Sequence, residues 1–141
     1  MSKRVVVAAA AIAAIAVTGA LAAPRASTSF AFGRTGGNIE PFTVTIAADG
    51  TVRARGPVRP SKQRLSARQL VSLLAVLKAE RFSSLPGATH CSGALPDFAS
   101  NFVTVRTGAA TKTVFVRGDC SSRFEAVYKA LSTAVGVRYG A

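Results

Sequence analysis

A period-two alternation of apolar and polar residues marks the first ordered part of the chain. Residues 42–46 alternate phenylalanine, valine and isoleucine with threonine, which is typical of a strand with one buried face. The segment Phe30-Ala31-Phe32 predicts a strand before it, and the cluster Gly36-Gly37-Asn38 predicts the intervening turn. Pro41 can open the second strand because the first residue of a strand tolerates the missing amide.

The dipeptide Asp49-Gly50 indicates a hairpin after that strand. A two-residue loop would place Ile46 opposite Arg53. A three-residue loop over residues 48–50 instead pairs Ile46 with Val52 and keeps the apolar face intact. We therefore predict the second register, with Gly50 at positive φ in a bulged turn. It also pairs Val44 with Ala54 and leaves Thr51, Arg53 and Arg55 on the solvent side.

A first helix is predicted after residues 56–60, whose Gly and Pro residues should break the sheet. Ser66 and Gln69 have the spacing of a capping box, with Leu65 and Leu70 as the hydrophobic staple around it. An apolar stripe then follows at helical spacing. Its members are Leu70, Leu73, Leu74 and Leu77.

The second half of the chain predicts a long loop, a hairpin and a closing helix. Residues 83–100 form an irregular stretch. Gly108-Ala109 as a two-residue turn sets Val103 opposite Val114, and Phe102 opposite Phe115 on the other face. Ser122 and Glu125 predict a second capping box, and Gly136 predicts the end of that helix. Its apolar stripe is Phe124, Val127, Tyr128, Leu131 and Val135.

These elements occur in the order β-β-β-α-β-β-α. We expect an α+β fold in which an antiparallel sheet of about five strands carries both helices on one face. The 141 residues leave room for one domain, which we place at residues 30–141.

A secretory leader is predicted at the start of the chain. Lys3 and Arg4 precede an almost unbroken apolar run from residue 5 to residue 22, and Ala20 and Ala22 suit the cleavage rule for signal peptides. We predict a signal peptide over residues 1–22, a flexible tail over residues 23–29 and a secreted location, in the periplasm, the cell wall or the medium. The alternative is a retained membrane anchor, the one way in which we expect the chain to meet a membrane.

Two cysteines, Cys91 and Cys120, remain in the mature chain. In an oxidising compartment an even pair in a small domain predicts a disulfide. Their separation credits the bond with roughly 3 to 4 kcal/mol in the chain-entropy model.

The chain is strongly basic, with a formal net charge of +12 that falls by two when the leader is removed. Residues 53–68 contain six cations and no acid. They predict either a polyanion-binding patch or a solvated basic face, without the interleaved aromatic residues of single-strand binders. The patch is Arg53, Arg55, Arg59, Lys62, Arg64 and Arg68.

Catalytic chemistry has few candidate residues. His90 is the one histidine, so thiol catalysis would pair it with a cysteine nucleophile, and a zinc site would combine it with both Cys91 and Cys120. Asp97 and Asp119 are the one carboxylate pair that can be proposed. We expect solvated loop positions for both acids, and an exported disulfide for both cysteines. The sequence therefore predicts no enzyme, no cofactor and no metal.

The order of these motifs resembles the emfourin-like family. The resemblance rests on Arg34-Thr35-Gly36-Gly37 before the strand 42–46, and on residues 65–67 leading into an amphipathic helix. Glu80-Arg81-Phe82 with Leu85-Pro86 follows, then a hairpin and a closing helix, so that most of residues 30–135 are covered. This chain adds a leader, a cysteine pair and an insertion around residues 91–97.

Emfourins are proteinaceous inhibitors of thermolysin-type metallopeptidases. The resemblance therefore implies an exported inhibitor-like binding protein whose partner is a secreted or envelope peptidase. The alternative is a basic cell-envelope or polyanion-binding module without enzymatic activity or specific nucleic-acid recognition. The predicted partner-binding residues are Arg34, Thr35, Gly36, Gly37, Asn38, Leu95, Pro96 and Asp97.

Overall fold

The computed structural model of the protein describes residues 27–139, with the backbone alone for the last two of them. The predicted signal peptide and residues 23–26 of the predicted tail lie outside the described residues. Eight strands and two α-helices occur in the described range. They are β1 (Thr28–Thr35), β2 (Phe42–Ile46), β3 (Val52–Arg55), β4 (Val58–Pro60), α1 (Ala67–Ala79), β5 (Ala88–His90), β6 (Ser100–Thr107), β7 (Ala110–Arg117), α2 (Ser122–Val135) and β8 (Val137–Tyr139), with a 3-10 turn at Phe82–Ser84.

Six strands form one sheet in the order β3-β2-β1-β6-β7-β5. The α+β class is confirmed. The expectation of a purely antiparallel sheet is wrong, because β5 runs parallel to β7. This strand lies inside the stretch that was predicted to be irregular. Hydrogen bonds to β7 from the residues on either side hold this strand in place. The Phe115 amide donates to the Gly87 carbonyl at 2.9 Å, and the Cys91 amide donates to the Arg117 carbonyl at 2.9 Å.

Both predicted hairpin registers are confirmed. Ile46 pairs with Val52 across β2 and β3. Phe102 pairs with Phe115 across β6 and β7, and Val103 with Val114 on the opposite face. Gly50 has φ +87°, as the bulged turn requires.

Besides β5, three strand segments differ from the prediction. β1 begins at Thr28, so residues 28 and 29, which were assigned to the tail, pair with Thr107 and Arg106. β4 and β8 pair with each other in a second, two-stranded sheet. Residues 58–60 therefore do not simply break the sheet. Strand propensity depends on a partner strand, and here the partner lies near the other end of the sequence.

The two helices begin differently. In α1 the capping box is confirmed, because the Gln69 amide donates to Ser66 Oγ at 3.2 Å and the Ser66 amide donates to Gln69 Oε1 at 2.9 Å. In α2 the predicted box is wrong: Ser122 is the first helical residue and Ser121 caps without a side-chain hydrogen bond. Gly136 ends α2 in a left-handed conformation, as predicted.

The core lies between the sheet and the helices, which pack on one of its faces. The predicted stripe of α2 is buried at Phe124, Val127, Leu131 and Val135, and Tyr128 makes an edge contact with Phe32 at 5.6 Å between ring centroids. In α1 Leu73 is buried, whereas Leu74 is 41% exposed, contrary to the predicted stripe. The other face of the sheet is not covered by either helix.

Candidate functional site

The two ends of the sheet carry different connections. One end, which we call the loop end, carries residues 36–41, 91–99 and 118–121. The other, the hairpin end, carries the short turns at residues 47–51 and 108–109. This arrangement follows from the strand directions, since β1 and β7 both end where β2 and β6 begin. All the loops that contain predicted partner-binding residues therefore lie at one end.

The predicted disulfide joins two of these loops. Cys91 and Cys120 are bonded, with 5.5 Å between their Cα atoms. The Cys120 amide also donates to Cys91 Sγ at 3.0 Å. Because both sulfurs are part of the disulfide, neither is available as the nucleophile of thiol catalysis or as a zinc ligand. The bond fixes the start of the 91–99 loop to the connection that leads into α2.

Hydrogen bonds join the 36–41 loop to the 91–99 loop. The Asn38 amide donates to the Asp97 carbonyl at 3.2 Å, and Asn38 Nδ2 donates to Asp97 Oδ2 at 3.4 Å. The backbones approach so closely that a methyl group on Gly37 would lie 2.4 Å from the Asp97 carbonyl oxygen and 2.5 Å from the Ala99 nitrogen. Two predicted segments that are 59 residues apart in sequence are thus in direct contact.

Large apolar side chains are exposed on these joined loops. Ile39 is 46% exposed, Leu95 55% and Phe98 48%. They are three of the six large hydrophobic residues that are exposed among the described residues. We define residues 36–39 and 95–98 as the two-loop surface. Leu95 was predicted, but Ile39 and Phe98 were missed, because a single apolar residue in a loop carries no signal until its apolar neighbours in space are known.

Arg34 and Thr35 lie at the base of the two-loop surface, at the end of β1. Arg34 is half-buried: its Nε donates to Asn101 Oδ1 at 3.3 Å, and its guanidinium carbon lies 6.0 Å from the centre of the Phe42 ring. These contacts hold the side chain against the sheet. Thr35 is exposed. Arg34 therefore joins the end of β1 to the starts of β6 and β2, while the Thr35 side chain is open to solvent.

The basic patch does not form one surface. Arg53 and Arg55 line a concavity with Thr43 and Thr45 on the uncovered face of the sheet. Lys62 instead lines a groove between α1 and α2, on the helix side. Arg64 lies 3.4 Å from Asp49, Arg59 is in β4 and Arg68 is in the first turn of α1. These six residues are close in sequence, but four of them lie on three different units: β3 of the six-stranded sheet, β4 of the two-stranded sheet, and α1.

Neither a metal cluster nor a membrane span is found in residues 27–139. No group of three or more His, Cys, Asp or Glu residues lies close enough in this range to hold a metal ion. None of the helices in it is long and apolar enough to cross a membrane.

No family model, curated protein or solved structure matches the chain. The resemblance to emfourins therefore stays a prediction that rests on the motifs quoted above.

Proposed function

We propose that the protein is an exported, inhibitor-like binding protein that contacts its partner through the two-loop surface. The observation that carries this proposal is the exposure of Ile39, Leu95 and Phe98 on loops that a disulfide and a pair of hydrogen bonds hold in place. Exposed apolar groups on a fixed scaffold are typical of surfaces that become buried in a complex.

Rigidity of the loops favours tight binding. Each rotamer-rich side chain or loop that is ordered on association costs about 0.5–1.5 kcal/mol. Here the contact between Asn38 and Asp97 and the bond between Cys91 and Cys120 are already made in the free protein. Most of that entropic cost therefore falls on folding, and little of it falls on binding.

We propose a thermolysin-type metallopeptidase as the partner. This step rests on the emfourin resemblance, and the Arg34-Thr35-Gly36-Gly37 motif of that resemblance leads directly into the two-loop surface. Two loops that are fixed together at one end of a sheet can be presented jointly to a peptidase cleft. The net charge of the mature chain, which is +12 less the two charges of the leader, would speed its encounter with an acidic peptidase surface.

The direct test is inhibition of secreted thermolysin-type peptidases by the purified protein. We expect inhibition at or below micromolar concentration. The triple variant Ile39→Ser, Leu95→Ser and Phe98→Ser should weaken it at least ten-fold, because truncation of apolar contacts at an interface centre costs upward of about 1–2 kcal/mol. Its unfolding free energy should stay within about 1 kcal/mol of the parent value, since surface substitutions have small effects.

The matched control replaces exposed apolar residues elsewhere. Val71 is 62% exposed and Leu74 41%, and both lie on α1. The variant Val71→Ser and Leu74→Ser should inhibit like the parent. Raised salt should slow association and leave dissociation nearly unchanged. Absence of inhibition across several such peptidases would refute the choice of partner. Equal losses in both variants would refute the two-loop surface.

A further inference from the structure

The uncovered face of the six-stranded sheet, which we call the open face, has an unusual composition. It carries the strand positions that alternate with the buried helix-facing ones. Seven of its side chains are large: Arg53, Arg55, Arg106, Arg117, His90, Phe102 and Phe115. The six strands of this sheet contain no Asp or Glu. The open face is therefore cationic and carries two phenylalanine rings beside the imidazole at its β5 edge.

Its arginines are not neutralised within the protein. In the part of the chain that the structure describes, the one ion pair joins Arg64 to Asp49 in the hairpin region. Arg106 donates from Nε to Thr111 Oγ1 at 3.4 Å, a neutral partner. The Nε of Arg117 is buried and has no hydrogen-bond partner among the described residues. Like charges confined to one surface repel each other, so an anionic ligand would relieve this repulsion.

The two rings form a pair on this face. Phe102 and Phe115 lie opposite each other on β6 and β7, with 5.9 Å between ring centroids and 41° between the ring planes. Phe115 is 38% exposed. Phe102 is half-buried and lies beside Gly33, which has no side chain of its own. Cross-strand packing accounts for the contact between the two rings. It does not account for the exposure of the Phe115 ring to solvent.

One cation and both phenylalanine rings lie in one row across the sheet. The pairing runs from Arg55 to Thr43, then to Gly33, Phe102 and Phe115. Adjacent strands are about 4.8 Å apart, so the Cα atoms of Arg55 and Phe102 are separated by roughly 14 Å. The positions between them are Thr and Gly, which leave a shallow track. A chain-like ligand lying across the strands would meet a guanidinium group at the edge and aromatic rings further on.

We propose that the open face binds single-stranded nucleic acid without preference for base sequence. The guanidinium groups contact phosphates, and the exposed Phe115 ring, supported by Phe102, stacks on unpaired bases. Arginines with aromatic platforms are the combination that non-specific single-strand binders use, since every base has a π face. A duplex keeps its bases stacked inside, and an anionic polysaccharide has no planar π ring to stack face to face, so an unpaired base makes the fuller contact with the Phe115 ring.

The test is fluorescence anisotropy with the purified protein and two labelled probes. One is a 20-nucleotide oligothymidylate and the other is an abasic 20-mer with the same phosphates. We expect the oligothymidylate to bind at least five-fold more tightly, because stacking on one aromatic ring is worth a factor of roughly 5 to 100 per base. Phe115→Leu should remove most of that difference without affecting the abasic probe.

Salt and charge variants test the arginines. Neutralising four phosphates predicts a log–log slope of affinity against salt of about −3, from roughly −0.7 per phosphate on a single strand. Arg53→Gln with Arg106→Gln should weaken binding about ten-fold. The matched control, Arg59→Gln with Arg68→Gln, also removes two positive charges, but at positions that lie away from the open face. This variant should weaken binding less than three-fold.

Three results would overturn the proposal. Equal affinity for the two probes would show that only the phosphates are recognised, as an acidic polysaccharide would also be. Equal losses in the two charge variants would show attraction to net charge. No binding of oligothymidylate at 50 mM salt would exclude the site. None of these outcomes bears on inhibition of a peptidase, which concerns the loop end.

Discussion

The connections between strands are held in different ways at the two ends of the sheet. At the hairpin end, the turn between β2 and β3 is closed by bonds within five residues. The Gly50 amide donates to the Ala47 carbonyl at 2.9 Å, and Asp49 accepts from the Thr51 amide and hydroxyl, both at 2.9 Å. None of the large exposed hydrophobic residues lies in this turn.

At the loop end, the contacts span long stretches of sequence. Asn38 bonds to Asp97 across 59 positions, and Cys91 to Cys120 across 29. These loops expose Ile39, Leu95 and Phe98. The turn at residues 47–51 is closed by its own bonds and joined to the chain only 15 positions on, where the Leu65 amide donates to the Gly50 carbonyl at 2.9 Å. The loops at the loop end depend on bonds between more distant positions. The extra constraint at the loop end is what a preformed binding surface needs.

The largest effect is expected from removal of the disulfide. Cys91→Ser with Cys120→Ser should lower the free energy of unfolding by roughly 3 to 4 kcal/mol, because the bond no longer restricts the unfolded chain. Urea denaturation measures this loss. Hydrogen exchange in residues 91–99 should become faster through local opening, in addition to the acceleration that the lower global stability brings to the strands. Unchanged local opening of residues 91–99, measured where global unfolding does not contribute, would contradict the role of the bond in holding this loop.

The second largest effect is expected from alanine at Gly37, compared with alanine at Gly36, and it tests the contact between the two loops. Gly36 and Gly37 both have positive φ, so alanine costs about 1 kcal/mol of backbone strain at either position. A methyl group on Gly36 meets nothing within 4 Å, whereas on Gly37 it collides with residues 97–99. Gly37→Ala should therefore be about 2 kcal/mol more destabilising than Gly36→Ala. Thermal unfolding of the pair decides this, and equal losses would mean that the loops are not in contact.

A third effect concerns Arg123, which sequence patterns did not single out. Its Nε donates to the Glu80 carbonyl at 2.8 Å, and its Nη2 to the Arg81 carbonyl at 2.8 Å and to Ser84 Oγ at 3.0 Å. It thus joins the start of α2 to the chain after α1. Arg123→Ala should cost about 2 kcal/mol by urea denaturation, since bonds from a charged donor are worth about 1.5–3 kcal/mol. Arg68→Ala, at an exposed position, is the control and should be nearly neutral.

The smallest effect lies at the hairpin end. The backbone amide and side chain of Thr51, with a further contribution from Arg64, lower the pKa of Asp49. The ionised carboxylate therefore stabilises the fold above its unfolded pKa of about 3.9 and loses this contribution as pH falls through the lower native value. Asp49→Asn should slightly lower the melting temperature at pH 7 and leave it unchanged at pH 2. A difference that persists at pH 2 would rule out the charge as its cause.

A similar contrast between local and distant contacts explains which parts of the fold could be predicted from the sequence. The register of β2 with β3 and the cap of α1 depend on residues a few positions apart, and both are confirmed. The pairing of β4 with β8 and that of β5 with β7 depend on distant partners for three-residue strands. Alternation over three residues carries little information, so these strands were missed.

The candidate site was predicted in parts. The cysteine pair was deduced from the number of cysteines and their compartment, and Gly36-Gly37-Asn38 and Leu95-Pro96-Asp97 were selected because of the resemblance and the loop. That these segments touch could not be deduced, because the contact is made by backbone atoms at the end of a sheet. Nor did the sequence show that the basic patch of residues 53–68 is spread over different parts of the fold. The positions of β3, β4 and α1 depend on strand pairing and helix packing with distant segments.

The central claim is that a protein partner contacts the loop end. Hydrogen–deuterium exchange of the protein with and without a bound thermolysin-type peptidase tests it most directly. We predict that binding slows exchange in residues 36–39 and 94–99 and leaves the turns at residues 47–51 and 108–109 unchanged. Protection confined to the hairpin end, or to the strands of the open face, would contradict the account.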